Sequence, residues 1–511
     1  MNFKPYNQNQ QVLFPLSLEE LIPSDHPVRV VNDVVESINI QPLLKSYHKE
    51  GHPSYHPKML LKVMLHAYMS NIYSSRKIEQ ALRENITFMW LSSMSIVDHN
   101  TINRFRSNKL EKAFKEIFIE VVMLLATEGL ITLKQLYTDG TKVEAQANRY
   151  SFVWGQSIKT NKAKMLVQLE ELWSYAQSIC EDDDHDPDPP KFKKIDKDTI
   201  EKTVEQIDKK LSGNKNASSK AKAKLRYIKK NFSKNLDKYE KQEAILGERK
   251  SYSKTDPGAT FMRMKEDHMK NGQLKPGYNV QISTENQMII HYSIHPNPTD
   301  TKTLQPHLEG LKKMYGYEVY SQIEDITADA GYGSEENYEY LKSQGITPYV
   351  KFNTFDKEQS AKKLKKKPFS KEQLYYNEQG DYYVCPIGQR MYKTHESKKK
   401  TEAGYIQYLS HYQAINCEGC PLRGVCHKAK GNRSIERNHN LERHRQKARE
   451  LLNSEIGLEK RKKRTADVEP VFGQLKHNHG LRRFTLRGIK KVELEFGLFA
   501  LAHNLRKKIA S

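Results

Sequence analysis

One strand-like run stands apart from everything able to pair with it, and this limits the folds open to the chain. Leu133–Lys142, LKQLYTDGTK, alternates like a half-buried strand. It carries a carboxylate, Asp139, at what reads as its end, and Gly140 follows to let the backbone turn. A strand buries its apolar face only against partners, and sequence of matching character resumes only at residue 276. There Gly277–Ile282 and Met288–Ile294 read as two strands joined by a polar turn at Thr284-Glu285-Asn286. Thr299-Asp300 caps a helix carrying Leu304, Leu308 and Leu311. Ile323–Ala328 reads as a strand that ends at Asp329, Ser334–Leu341 as a helix and Ile346–Phe352 as a strand. The core is expected to be a mixed sheet interrupted by a long insertion.

That insertion, 158–250, has another character. Ile200, Val204, Ile207 and Leu211 recur at helical spacing, as do Leu225, Ile228, Phe232, Leu236 and Tyr239, in a Lys- and Glu-rich background. The pattern predicts a helical hairpin or a coiled insertion. Its breakers are the acidic run Glu181–Pro190, read as a solvated loop, and Ser212-Gly213-Asn214. Leaving the insertion out, the order of strands and helices is that of the RNase H-like fold.

Residues 1–110 read as helical. Ser24-Asp25-His26-Pro27 and His56-Pro57 are helix starts, with Pro suited to the first turn. Shorter helices follow from Ser74-Ser75 and from Asp98. Their outward residues, Arg76, Lys77, Asn100, Thr101, Asn103, Arg104 and Arg106, suit two readings. One is a helix-turn-helix reader of the DNA major groove, and the other is the solvated face of a helical bundle. Residues 111–157 and 251–354 form the two parts of the core. Residues 355–440 form a Cys-rich insertion opening on the basic run Lys362–Lys367. Residues 441–511 carry a helix from Arg445 to Lys476, bearing Glu469, and an apolar helix, Val492–Leu505, expected to pack on the core.

The chain has 84 Lys and Arg against 62 Asp and Glu, a net charge of +22, which favours a polyanionic partner, nucleic acid first. It has no apolar run of about 18 residues, so no membrane span is expected. The opening MNFKPYNQNQ lacks the apolar stretch of an export signal, so a cytosolic location is expected.

Three carboxylates carry the chemistry. Asp139 is the first. Asp329, in ADAGYG, stands at a strand end with glycines that let backbone approach closely. Glu469, in DVEPVFGQLK, stands on a helix. In-line cleavage of a phosphodiester calls for two Mg²⁺ ions roughly 4 Å apart, and such hard cations take carboxylate oxygens.

The cysteines form a separate device. Four of the five lie within 385–426, which is not the pattern of a secreted disulfide framework. Cys417-Glu418-Gly419-Cys420 is a two-spacer knuckle, with Cys426 after it and Cys385 in a turn upstream. A structural Zn²⁺ on these four, with His411 or His427 as substitutes, and a set of reduced buried thiols are both open. Cys180 stands apart.

TDGT, GYNVQ, ADAGYGSEEN, VEPVFGQLKHNHGLRRFTLRG and AHNLRKK together resemble bacterial insertion-sequence transposases of the DDE type. HPKMLLKVMLHAYMSNIYSSRKIE and DHNTINRFR resemble the helical domain that precedes the catalytic core in that group. The resemblance implies that Asp139, Asp329 and Glu469 are the metal-binding triad of an RNase H-like core that cleaves and joins transposon ends. It also implies double-stranded DNA as partner and a pair of chains when DNA is bound. Many relatives carry a Tyr, an Arg and a Lys at set offsets around the catalytic Glu. Lys476, seven residues after Glu469, matches and is expected on the same helix face. Arg464 lies five before, where four is usual, and Lys462 stands in place of Tyr, so the hairpin-type excision route lacks its usual residues. Arg482, Arg483 and Arg487 add expected phosphate contacts. A nuclease that cuts without joining, or a DNA-binding protein that has lost catalysis, are the other readings.

Overall fold

The computed structural model describes residues 17–47, 53–179, 197–212, 217–264, 272–360 and 369–511. The acidic run Glu181–Pro190, Cys180 and the basic run Lys362–Lys367 lie outside the described residues.

The isolated run becomes β1 (Gln135–Glu144). The short strands β2 (Phe152–Trp154) and β3 (Ser251–Ser253) pair with each other, and then come β4 (Thr260–Arg263), β5 (Leu274–Glu285), β6 (Met288–His295), β7 (Asp325–Ala328) and β8 (Thr347–Val350). One sheet runs β4-β5-β1-β7-β8, with β6 also on β5. β1 lies antiparallel to β5 and parallel to β7, and β7 lies parallel to β8. β5 is long enough to take β6 and β4 end to end along its other edge, with Asn279–Glu285 facing β6 and Leu274–Gly277 facing β4. The fold is thus a mixed sheet with helices, as the order of elements implied.

One expectation about β1 is corrected. The strand does not end at Asp139, and Gly140 does not turn the chain. β5 pairs with β1 continuously from Tyr137 to Glu144, so both residues lie inside the ladder.

The insertion holds three helices among the described residues, Gly155–Ser178, Lys197–Ser212 and Ser219–Leu246, where a hairpin or a coiled insertion was expected. They bury Leu169, Trp173, Ile207, Ile228, Phe232 and Leu236 in a core of their own. The β2–β3 pair ties off the two ends, so the insertion leaves and rejoins the chain at one point.

The helix from Ile489 to Ala510 is buried on all sides between Leu494 and Leu505, where its residues are mostly apolar. It packs on β6 and on the helix Pro57–Met69, so the N-terminal helices share one continuous core with the sheet. Asn504 completes the open edge of β6. Its Oδ1 accepts from Ile289 N at 2.7 Å, and its Nδ2 donates to Ile289 O at 2.8 Å. Gly497 lets this helix approach, since a Cβ there would enter the rings of Phe114 and Tyr292.

Several histidines are buried neutral. Burial pushes His66 and His503 down to about 4, holds His291 at about 3, and holds His307 well below the ordinary value. An unfolded histidine titrates near 6.5. Each of these therefore contributes stability that is complete above about pH 6.5 and lost as the pH falls toward its folded-state value. The melting temperature is expected to fall steadily from pH 7 to pH 5. A flat profile over that range would overturn the neutral assignment.

Candidate active site

The sheet brings the first two carboxylates side by side. Thr138 pairs with Ala328 across the parallel β1–β7 ladder, so the next residue on each strand is Asp139 and Asp329. Asp329 caps the turn Ala330–Tyr332, its Oδ1 accepting from Gly331 N at 2.8 Å. The pleat turns Asp139 toward the helix Glu455–Gly473, which supplies Glu469. Arg464 on the same helix joins the two. Its Nη2 lies 3.3 Å from Asp139 Oδ2, and its Nη1 lies 3.2 Å from Glu469 Oε1. Arg464 and Asp139 are largely buried, whereas the Glu469 side chain is 52% exposed.

That helix is fastened at two points. Lys460 Nζ lies 2.6 Å from Asp325 Oδ2 in a buried ion pair at the start of β7. Asp467 Oδ1 accepts from Thr284 Oγ1 at 2.6 Å and from Gln287 N at 3.2 Å. Burial pushes both carboxyls above the usual range, against the pull of Lys460 on Asp325 and of these hydrogen bonds on Asp467.

Sequence reasoning missed the support on the opposite face of β1. There Gly140 meets β5, and a Cβ would be driven into the Gln281 amide and stand 2.9 Å from Asp300 Oδ1. Asp300 Oδ1 accepts from Asn279 Nδ2 at 2.8 Å and Gln281 Nε2 at 3.1 Å. Thr301 Oγ1 donates to Gly331 O at 3.0 Å, within the turn that holds Asp329. Tyr332 reaches back to donate to Gln281 Oε1. Burial, followed by the charges of Asp300, Asp139 and Asp329, pushes the Tyr332 hydroxyl well above its usual value, so it remains a donor. Asn279 and Gln281 in GYNVQ are two apart on a strand and so share a face. That was the signal available in the sequence.

The residues expected to touch DNA are placed differently. Arg76, Lys77, Asn100, Arg104 and Arg482 are exposed. Thr101 turns its hydroxyl to Asp98, and Asn103 joins Ser75 and Arg106. Arg106 is not outward. It is buried and donates to Tyr73 O and Asn103 Oδ1, because the chain passes there into a π-helical turn, Phe105–Leu110, that faces the core. Arg483 and Arg487, though exposed, spend guanidinium donors on the carbonyls of Ala145, Ala147 and Gln146, docking their segment beyond the end of β1. Lys476 does not continue a regular helix from Glu469. Gln474–Asn478 is π-helical, which breaks the 3.6-residue period, and Lys476 is buried at 9% exposure.

The Cys-rich segment forms a second sheet, which sequence reading left without strands. It consists of β9 (Tyr376–Asn377), β10 (Tyr382–Val384), β11 (Arg390–Lys400), β12 (Ile406–Ala414) and β13 (Ser434–Arg437), all antiparallel. Cys385, Cys417, Cys420 and Cys426 line one small cavity at its end with His427. His411 does not join them and lies 2.7 Å from Ser397 Oγ. Among the described residues, no three His, Cys, Asp or Glu side chains stand close enough together to hold a metal ion as they are. No described helix is long and apolar enough to cross a membrane.

Residues 384–509 match a family model described as transposase DDE domain, and residues 16–108 match one described as transposase domain (DUF772). The first stretch contains Glu469, while Asp139 and Asp329 lie between the two. No curated protein matches the chain.

Proposed function

We propose that this chain, an insertion-sequence DDE transposase by its two transposase domains, cleaves transposon ends and joins them to target DNA. The carrying observation is the meeting of Asp139 and Glu469, from opposite ends of the chain, on one guanidinium, with Asp329 next to Asp139 in register. The strand order β6-β5-β1-β7-β8 supports an RNase H-like core.

Asp139, Asp329 and Glu469 would hold Mg²⁺ or Mn²⁺. The donor set is all oxygen, as such cations require, and Arg464 already supplies positive charge between two of its members. When bound, a pair of these ions activates the attacking oxygen and stabilises the leaving one. The remaining work falls to the chain. Arg464 neutralises Asp139 and Glu469 until the site is loaded and is then free to meet a DNA phosphate. Thr301 and Asn337, whose Nδ2 donates to Thr301 O and Tyr332 O, hold the Asp329 turn still, while Asp300 holds Asn279 and Gln281 beneath it. Water first attacks a phosphodiester at the transposon end. The freed 3′-hydroxyl then attacks target DNA, and no covalent protein–DNA intermediate forms. Two chains hold the two ends, and Arg76, Lys77, Asn100, Arg104 and Arg482 meet the duplex.

The test is cleavage and strand transfer on labelled DNA carrying the element's own ends, with Mg²⁺ or Mn²⁺. Metal-dependent joined products are expected. Nicked DNA without joined product would move the assignment to a nuclease. Tight binding without either product would leave a DNA-binding protein.

A further inference from the structure

We infer that the loop between β12 and β13, together with the turn between β10 and β11, forms a zinc site of Cys385, Cys417, Cys420 and His427. The observation that carries it is one cavity of about 20 Å³ lined by four cysteines and a histidine. Both ring nitrogens of His427 are shut off from solvent and have no hydrogen-bond partner. A buried imidazole with neither nitrogen satisfied is costly and calls for a ligand.

Two of the sulfurs already accept hydrogen bonds from backbone N–H groups, Gln389 donating to Cys385 at 3.2 Å and Arg433 to Cys417 at 3.4 Å. Cys385 and Cys417 each open a turn containing a positive-φ glycine, Gly388 and Gly419, which folds the backbone back toward the sulfur. Cys426 differs from these two because its donor is a cation: Arg433 Nη1 lies 2.6 Å from its sulfur, where the guanidinium charge competes with a metal ion for the same atom. That leaves three cysteines and His427, a set that zinc takes tetrahedrally. Cys426 beside Arg433 then serves as a support for the loop.

The fold also needs such a device. The five-stranded sheet buries only Tyr383, Met391, Tyr412, Ala414, Cys417 and Ile435 as its core. The connection from Ala414 to Ser434 contains no helix or strand, and it exposes Ile415 and Val425. A core this small with a loop this long is ordinarily stapled. Binding would draw the side chains inward from their present spacing.

The test uses the purified full-length protein. Zinc is measured by elemental analysis, and thiol reactivity toward a disulfide reagent is followed with and without added zinc. About one zinc per chain is expected, with three thiols protected by it. Cobalt substitution should give thiolate-to-cobalt charge-transfer absorption. His427→Ala and the pair Cys417→Ser/Cys420→Ser should lose the metal, while Asp329→Asn should keep it and lose only DNA cleavage. A protein that takes up no zinc, with thiols equally reactive in its presence, overturns the site regardless of how the variants fold. Zinc lost with Cys426→Ser but retained with His427→Ala overturns the assignment of His427.

Discussion

Asp329→Asn is expected to reduce metal-dependent cleavage and joining by at least about 10³-fold while leaving the fold intact. The amide keeps the size of the side chain, and its oxygen can still accept from Gly331 N, which holds the turn. What it loses is the negative charge toward the metal. A thousandfold corresponds to roughly 4 kcal/mol of barrier, within the several kcal/mol attributed to metal stabilisation of transition-state charge. Gel-resolved cleavage and joining, with a melting curve beside them, checks both halves. Asp300→Asn provides the contrast. It touches the support beneath the site and not a ligand, so a loss of about 10–100-fold is expected, the range for groups that orient metal ligands. Equal activity of Asp329→Asn and wild type would mean that the carboxylates are misassigned.

Lys460→Met should be the most destabilising single change, by about 3–5 kcal/mol, the range for removing one partner of a buried ion pair. Lys460 is the partner of Asp325 Oδ2, and Asp325 Oδ1 has none. Without the lysine the whole carboxylate is buried and unpaired, and it must take up a proton or disrupt the start of β7. Cleavage should fall too, because the same helix carries Arg464 and Glu469. Adding Asp325→Asn removes the stranded charge and should recover a substantial part of the lost stability. Thermal unfolding of the three proteins measures this. A Lys460→Met protein that melts with wild type would mean that the pair does not fasten the helix to the sheet.

Much of this protein was legible from local pattern. The α/β order from 276 onward shows in alternation and helical spacing, and each predicted core strand and helix there has its counterpart. The seams Ile200–Leu211 and Leu225–Leu236 are buried as their spacing implied. The second sheet was invisible for a physical reason. β11 reads RMYKTHESKKK and is exposed along most of its length, so it carries no alternating apolar signal. Only its pairing with β12 makes it a strand.

The sequence by itself determined the order of core elements from 276 to 352 and the clustering of the cysteines, and it singled out the three carboxylates, because these depend on residue type and short-range spacing. Tertiary structure decided what each residue meets. It placed Asp139 inside a ladder, since β5 continues past it. It made Gly140 a matter of space between β1 and β5. It set Arg464 between Asp139 and Glu469, and it turned Lys476 and Arg106 inward through π-helical turns. It turned Asp300, expected to cap a helix, onto Asn279 and Gln281 beneath β1, leaving Thr303 at the N-terminus of the helix that starts at Leu304. Each of these depends on distances between segments far apart in the chain, which close only when the sheet and its helices pack together.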